Sequence, residues 1–217
     1  MTRHLTLLAL LFLAFTGCEP NAASSEQAEE TMEEAEETTM DDTSTEVQTV
    51  ATVEGDYGGT MKIIDGNIKS HRKELSGTVG GVPVRINYGS PAVNDRVIYG
   101  DLVPFDKVWR TGANEATTIT FEQDVVVGAD AKKLKAGTYS LFTLPRSKED
   151  WTVIFNTDSD QWGAYDYEES KDAVRAVATS SPIDTRAERM DFRLAGDGIM
   201  LMWDDLMIEF PVASASK

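Results

Sequence analysis

The chain holds one cysteine, Cys18, and two histidines, His4 and His71. A single thiol rules out an intrachain disulfide, a zinc–cysteine cluster or a paired redox motif. In the folded part, a Ser-His-Asp triad or a Cys-His pair would have to use His71, and no G-x-S-x-G elbow accompanies it. A histidine between Ser70 and Arg72 reads more simply as a solvated surface residue. Histidine-based zinc or copper sites are equally unsupported, so no metal site is expected. Neither a G-x-G-x-x-G nor a P-loop pattern is present; nucleotide cofactors lack their usual cradle, and no cofactor is expected. What survives is chemistry carried by carboxylates.

No apolar run is long enough to span a bilayer comfortably, but one near the start has another meaning. Arg3 and His4 form a short basic region, Leu5 to Phe15 an apolar one, and "FTGC" leads into Cys18. This pattern resembles the lipobox of bacterial lipoproteins, in which the signal is cut before the cysteine and the thiol is acylated. Residues 1–17 are accordingly read as a lipoprotein signal peptide and Cys18 as the lipidation site. The plainer alternative is an ordinary secretory signal followed by an unpaired cysteine. With acylation, the mature chain has no free thiol and is held to a membrane by its N-terminus.

Basic residues are missing altogether from residues 19–56, which carry thirteen acidic ones. Glu, Ala, Thr, Ser and Met dominate, and such a segment cannot offset its chain entropy by burial. Residues 18–56 are therefore expected to be a disordered acidic tether, with an acidic interaction tail as the alternative. Removing those thirteen negatives and the single positive Arg3 from the formal −17 leaves about −5 for residues 57–217. Nothing basic clusters there, which argues against nucleic-acid binding.

The remaining length suits one domain with a proper core. "VPVRINY" alternates Val82, Val84, Ile86 and Tyr88 against Pro83, Arg85 and Asn87, and "ATTITF", "DVVVG", "GTYSLFTL", "WTVIFN", "MDFRLA" and "IMLMWDDLMIEFPV" follow. Turn signals such as "VGG", "YGSP", "TGAN" and "NTDSDQWG" separate them. Short strands with this spacing predict an all-β, single-domain antiparallel β-sandwich, jelly-roll-like, over residues 82–217. "DYEESKDAVRAVATSS" reads as a loop followed by a strand. Residues 57–81 read as a lead-in or edge segment, with "NIKSHRKELSG" polar and unspecific.

Two stretches gather chemistry. In "WRTGANEATTITF", Trp109 precedes Arg110, Gly112, Asn114 and Glu115. One reading is structural: an arginine–glutamate ion pair fixing a loop, with Gly112 supplying backbone freedom and Asn114 a local side-chain hydrogen bond. The other is a pocket beneath Trp109 in which Arg110, Asn114 and Glu115 grip a polar molecule. In "FNTDSDQWGAYDY", Asp158, Ser159 and Asp160 leave a strand and Gln161, Trp162, Tyr165 and Tyr167 follow. The acids lack the EF-hand spacing for Ca²⁺. Flat aromatics beside Asp, Asn and Gln suit sugar hydroxyls, yet the same aromatics can simply cap one end of the sandwich. Glu115 with Asp158 or Asp160 would make a glycosidase pair if the carboxyls stood roughly 5–10 Å apart, a distance that only a fold can supply. Gly137 before "TYSLF" signals a turn and a core strand, without chemistry.

Taken together, "INYGSPAVNDRVIYGDLVPFDKVWRTGANEATTITF", "LKAGTYSLFTLP", "WTVIFN" and "QWGAYDY" resemble the bacterial domain of unknown function 2911, in order from about Val82 to Val212. The family pattern falls on Ser90, Pro91, Arg96, Gly100, Pro104, Trp109, Arg110, Gly112, Asn114, Glu115, Gly137, Tyr139, Trp151, Trp162 and Gly163. The resemblance implies an exported bacterial protein with a compact β-rich domain, and it implies no activity. It singles out "WRTGANEAT" and "QWGAYDY" as recurring signatures, which fits site lining and a shared fold lock alike.

The combined expectation is a lipid-anchored cell-envelope protein, most simply a non-enzymatic binding module for a small polar or carbohydrate-like ligand. Its candidate ligand residues are Trp109, Arg110, Asn114, Glu115, Asp158, Gln161, Trp162 and Tyr165. The alternatives are a carboxylate-dependent hydrolase of envelope glycans and a purely structural envelope protein. Glu19 after the cysteine, in place of a retention aspartate, favours the outer membrane, facing the periplasm or the surface.

Overall fold

The alternation read along the chain becomes eleven strands joined in antiparallel pairs. The computed structural model describes residues 50–215, which belong to one compact unit. The signal peptide, the lipidation site Cys18 and most of the expected tether lie outside the described residues. In chain order the strands are β1 Ala51–Val53, β2 Gly59–Asp65, β3 His71–Val79, β4 Val82–Ser90, β5 Thr117–Phe121, β6 Val125–Val127, β7 Lys132–Leu134, β8 Gly137–Pro145, β9 Trp151–Asn156, β10 Asp172–Ala195 and β11 Gly198–Ser214. They form one sheet in the order β1-β2-β3-β4-β5-β8-β9-β10-β11-β6-β7. The all-β antiparallel expectation holds, and "DYEESK" is indeed a loop, ending in a single 3₁₀ turn at Glu169–Lys171 before β10.

One strand turns this sheet into two layers. β10 is 24 residues long; Asp172–Ala178 pair with β9, and Thr179–Ala195 pair with β11 through bulges at Pro182/Ala187 and Ala187/Asp191. Bulges bend a strand and increase its twist, and beyond them β10 crosses to lie over β3 and β4. There the Tyr88 and Phe192 rings meet edge to face at 4.9 Å, and Ser90 Oγ donates to Met190 O at 2.7 Å. The backbone is stitched as well: Leu194 N donates to Tyr57 O and Met190 N to Pro91 O, at 2.8 and 2.9 Å. Between the layers lie Met61, Leu75, Ile86, Tyr88, Ile119, Phe121, Phe155, Phe192 and Trp203, each buried.

β8 breaks the alternation because both of its faces are covered, and its buried run extends from Tyr139 to Pro145. A second apolar cluster of Ala116, Phe142, Leu144 and Ile154 lies on its outer side, closed by Val108, Ala164 and Tyr167. The loops bearing both chemical stretches therefore pack on the outer face of β8 and β9.

Two expectations about the N-terminal part need correction. Ala51–Val53, assigned above to the tether, form β1 against β2, with Ala51 opposite Ile63 and Val53 opposite Met61. β-Branched Thr52 and Val53 favour that conformation, and the edge of β2 offers unpaired backbone groups. The unspecific polar segment is likewise a full strand, β3, paired with both β2 and β4. Its inward face carries Lys73, Leu75 and Val79, and the lysine disguises the pattern. Lys73 is buried because Nζ reaches Asp191 Oδ1 at 2.5 Å, and Tyr88 Oη donates to the same oxygen at 2.9 Å.

Candidate functional site

The loop from Trp109 to Ala116 is tied at both ends. Trp109 exchanges two backbone hydrogen bonds with Thr143 of β8, at 2.8 and 2.9 Å, and its ring stacks on Trp203 of β11 at 5.8 Å and 16°. Thr117 Oγ1 donates to Thr111 O at 2.8 Å. Thr111 and Asn114 both adopt left-handed backbone, with φ of 54° and 62°. For Asn114 this is the structural role, since asparagine tolerates that region better than most residues, and its carbonyl accepts from Gly163 N at 3.0 Å. The side-chain hydrogen bond expected of Asn114 is not among those of the described residues. Gly112 serves by size rather than by freedom: a Cβ there would stand 3.0 Å from both Gly89 O and Thr117 Oγ1.

The two chemical stretches do meet. Glu115 and Trp162 form an antiparallel backbone bridge, and Ala116 N donates to Gln161 O at 2.9 Å. Gln161 is buried, its Nε2 donating to Asp158 O at 2.7 Å and to Asn156 Oδ1 at 3.3 Å, so it shapes the loop. Tyr167 packs inward, edge to face with Phe142 at 5.0 Å, and caps that face of the sheet. Trp162 and Tyr165 point outward, 59% and 84% exposed.

The expected ion pair between Arg110 and Glu115 is absent among the described residues. Glu115 Oε2 instead accepts from Arg72 Nη1 of β3 at 3.3 Å. Sequence proximity misled here, because β3 lies alongside β4 and brings Arg72 to the loop from 43 positions away. Asp158 is also engaged, accepting from Lys171 Nζ at 3.0 Å, a bond that lowers its pKa below the ordinary carboxylate value.

Arg110 has no ion-pair partner among the described residues, and its Nε is buried without an acceptor. Burial lowers its pKa, an effect partly offset by Tyr165 nearby. It lines an open cleft of about 230 Å³ whose wall brings together the β2–β3 turn (Lys69, Ser70), the segment after β4 (Pro91, Ala92, Asn94, Arg96), Leu102, the loop from Trp109 to Asn114, and Trp203. The cleft takes in Trp109, Arg110 and Asn114 of the expected set and leaves out Glu115, Asp158, Gln161, Trp162 and Tyr165. Lys69, Arg96 and Trp203 were not foreseen. Arg96 falls within the family pattern, but nothing in the local sequence of Lys69 or Trp203 points to one shared wall.

Among the described residues, no group of three or more His, Cys, Asp or Glu side chains is arranged to hold a metal ion. No described helix is long and apolar enough to cross a membrane. No curated protein and no solved structure shows significant similarity to the chain. A family model described as "Protein of unknown function (DUF2911)" matches residues 70–212, beginning twelve residues before the resemblance read from the motifs and so taking in all of β3. Covering well over half of its length, that match shows that the chain belongs to the DUF2911 family.

Proposed function

We propose that this is a lipid-anchored protein of the bacterial cell envelope whose folded domain binds a small polar ligand in the cleft beside Trp109, without catalysing a reaction. The reading rests above all on Arg110, a half-buried guanidinium with no counter-ion among the described residues, standing in a concave wall. A purely structural arginine is ordinarily paired, since an uncompensated buried charge is costly. The stacked and buried Trp109 and Trp203 back the wall with apolar packing, and Ser70, Asn94 and Asn114 supply polar groups. A few polar groups converging on an apolar wall is the usual composition of small-ligand sites.

A carbohydrate-contacting surface is the second reading, favoured by the exposure of both Trp162 and Tyr165 on one loop. The hydrolase reading gains no support: the cleft lining holds no carboxylate, and Glu115 and Asp158 are each held in an ion pair. A general acid also needs a raised pKa, whereas that of Asp158 is lowered.

The test is a melting scan of the full chain in detergent against sugars, amino acids and organic acids, repeated for Arg110→Met and for Trp162→Ala/Tyr165→Ala. A cleft ligand raises the wild-type melting temperature and loses that effect in Arg110→Met alone. Loss only in the aromatic double variant would move the site to the exposed loop. Turnover of envelope glycans by the wild type would refute a non-enzymatic role. Anchoring is checked separately by mass spectrometry of the N-terminal peptide, where acylated Cys18 is expected.

A further inference from the structure

We infer that the ligand of this cleft is a small oxyanion, a carboxylate or a phosphate ester, gripped by Arg110 and Lys69; the inference rests on the binding role proposed above. Three cationic side chains line the cleft, Lys69, Arg96 and Arg110, with no acidic one among the lining residues. That runs against the net charge of about −5 carried by residues 57–217. Asp95 and Asp101 adjoin lining residues in sequence but are not themselves part of the lining; of the other carboxylates close by, Glu115 accepts from Arg72 and Glu188 Oε1 from Asn94 N at 3.0 Å. Arg96 spends its Nε and Nη2 on the carbonyls of Val93 and Ala92, fixing the turn while keeping its charge at the rim. The ammonium of Lys69 and the terminal nitrogens of Arg110 have no acceptor among the described residues.

The polarity behind the wall has the same sign. Five buried side-chain atoms lack a hydrogen-bond partner, and two belong to residues of this cleft, Arg110 Nε and Trp203 Nε1. Both are donors. Unanswered N–H dipoles add positive potential to a low-dielectric wall, where it acts more strongly than in water. A ligand that offers acceptors and carries negative charge matches the cationic groups of the lining and the sign of the potential behind them; a neutral sugar, with a donor on each hydroxyl, does not. Arginine suits an oxyanion further because its planar fork can give two parallel hydrogen bonds. A space of about 230 Å³ admits a small organic acid or sugar phosphate.

The experiment is isothermal titration of the full chain with inorganic phosphate, acetate, glucose 6-phosphate and glucose, at low and high salt. Glucose 6-phosphate with either simple anion should bind, glucose should not, and added salt should weaken binding. Arg110→Met should weaken it by about 10- to 100-fold, the usual scale for a hydrogen-bonded charge. Arg110→Lys should recover only part, and Lys69→Gln should cost a few-fold at most, as expected of an exposed charge. Thermal melts of each variant establish that it is folded. Glucose binding as tightly as its phosphate, with phosphate silent, overturns the oxyanion assignment and leaves a binding module standing. Failure of all four probes to bind folded wild type overturns both. Anion binding undiminished in Arg110→Met and Lys69→Gln puts the anion elsewhere and overturns the site.

Discussion

Glu115 is paired with Arg72, 43 residues earlier, and not with Arg110, five residues before it. The consequence is a division of labour within one loop. Glu115 ties the loop to β3, while Arg110 is left without a partner in the cleft. Because the Glu115 side chain is 47% exposed, the pair should contribute at most about 1 kcal/mol. Glu115→Gln is therefore expected to lower the melting temperature by no more than roughly 2–4 °C and to leave cleft binding intact. Calorimetry of the variant checks this; a much larger drop would make the pair a principal lock of the fold.

Much of the sheet was legible in the sequence because its strands are half-buried and alternate, as in β4, where Val82, Val84, Ile86 and Tyr88 all turn inward. β3 was not, because Lys73 occupies an inward position that only Asp191, 118 residues away, makes tolerable. The two chemical stretches were found, and the structure does join them through Glu115 and Trp162. What periodicity cannot reveal is which side of a loop faces a cavity. Arg110 and Tyr165 are neighbours, yet one lines the cleft and the other faces solvent. Lys69 reaches the cleft from the β2–β3 turn and Trp203 from within β11, a pairing that depends on β10 folding β11 over the first layer.

The contact between Lys73 and Asp191 carries a larger expected effect. Lys73 is only 5% exposed, and Asp191 also accepts from Tyr88. Lys73→Met would leave that carboxylate without its cation between the layers, at a cost of about 3 kcal/mol. Partial solvent access to Asp191 keeps the figure at the low end of what breaking buried pairs costs. The double variant Lys73→Met/Asp191→Asn should recover part of the loss, since an amide oxygen still accepts from Tyr88 without carrying charge. Denaturant unfolding of both variants decides it; a double variant as unstable as the single one would show that the ion pair is not the source.

Gly89, at the end of β4, sits directly beneath the candidate loop. A Cβ at this position would come within 2.1 Å of Ala113 O and 2.9 Å of its carbonyl carbon, both backbone atoms that cannot swing aside. Gly89→Ala should displace the loop and destabilise the domain by about 3 kcal/mol, a fall in melting temperature of roughly 6–12 °C. The same displacement should abolish binding in the cleft. Gly196→Ala is the control: no neighbouring atom obstructs a Cβ there, although its φ of +60° is left-handed, so only the smaller cost of that conformation, about 1 kcal/mol, is expected.

Alkaline pH should unfold the protein through its buried tyrosines. Burial raises the pKa of Tyr88 well above its usual value, with the nearby Asp191 charge adding to the effect, and burial likewise raises that of Tyr99. Tyr167, half-buried and bonded to Asp172, is pushed up to about 12. In the unfolded chain each phenol ionises near 10. Because these folded pKa values are raised, the stability linked to them is complete below about pH 10. It declines as the pH rises further, by at most about 1.4 kcal/mol per pH unit for each tyrosine that stays protonated. Melting temperatures should therefore be flat from pH 8 to about 10 and fall steeply beyond. The part of the phenolate absorbance that comes from Tyr88, Tyr99 and Tyr167 should rise together with unfolding rather than ahead of it. Tyr88→Phe should be less stable at neutral pH, having lost its hydrogen bond to Asp191, yet show a shallower decline above pH 10. An unchanged slope in that variant would show that Tyr88 does not govern the alkaline transition.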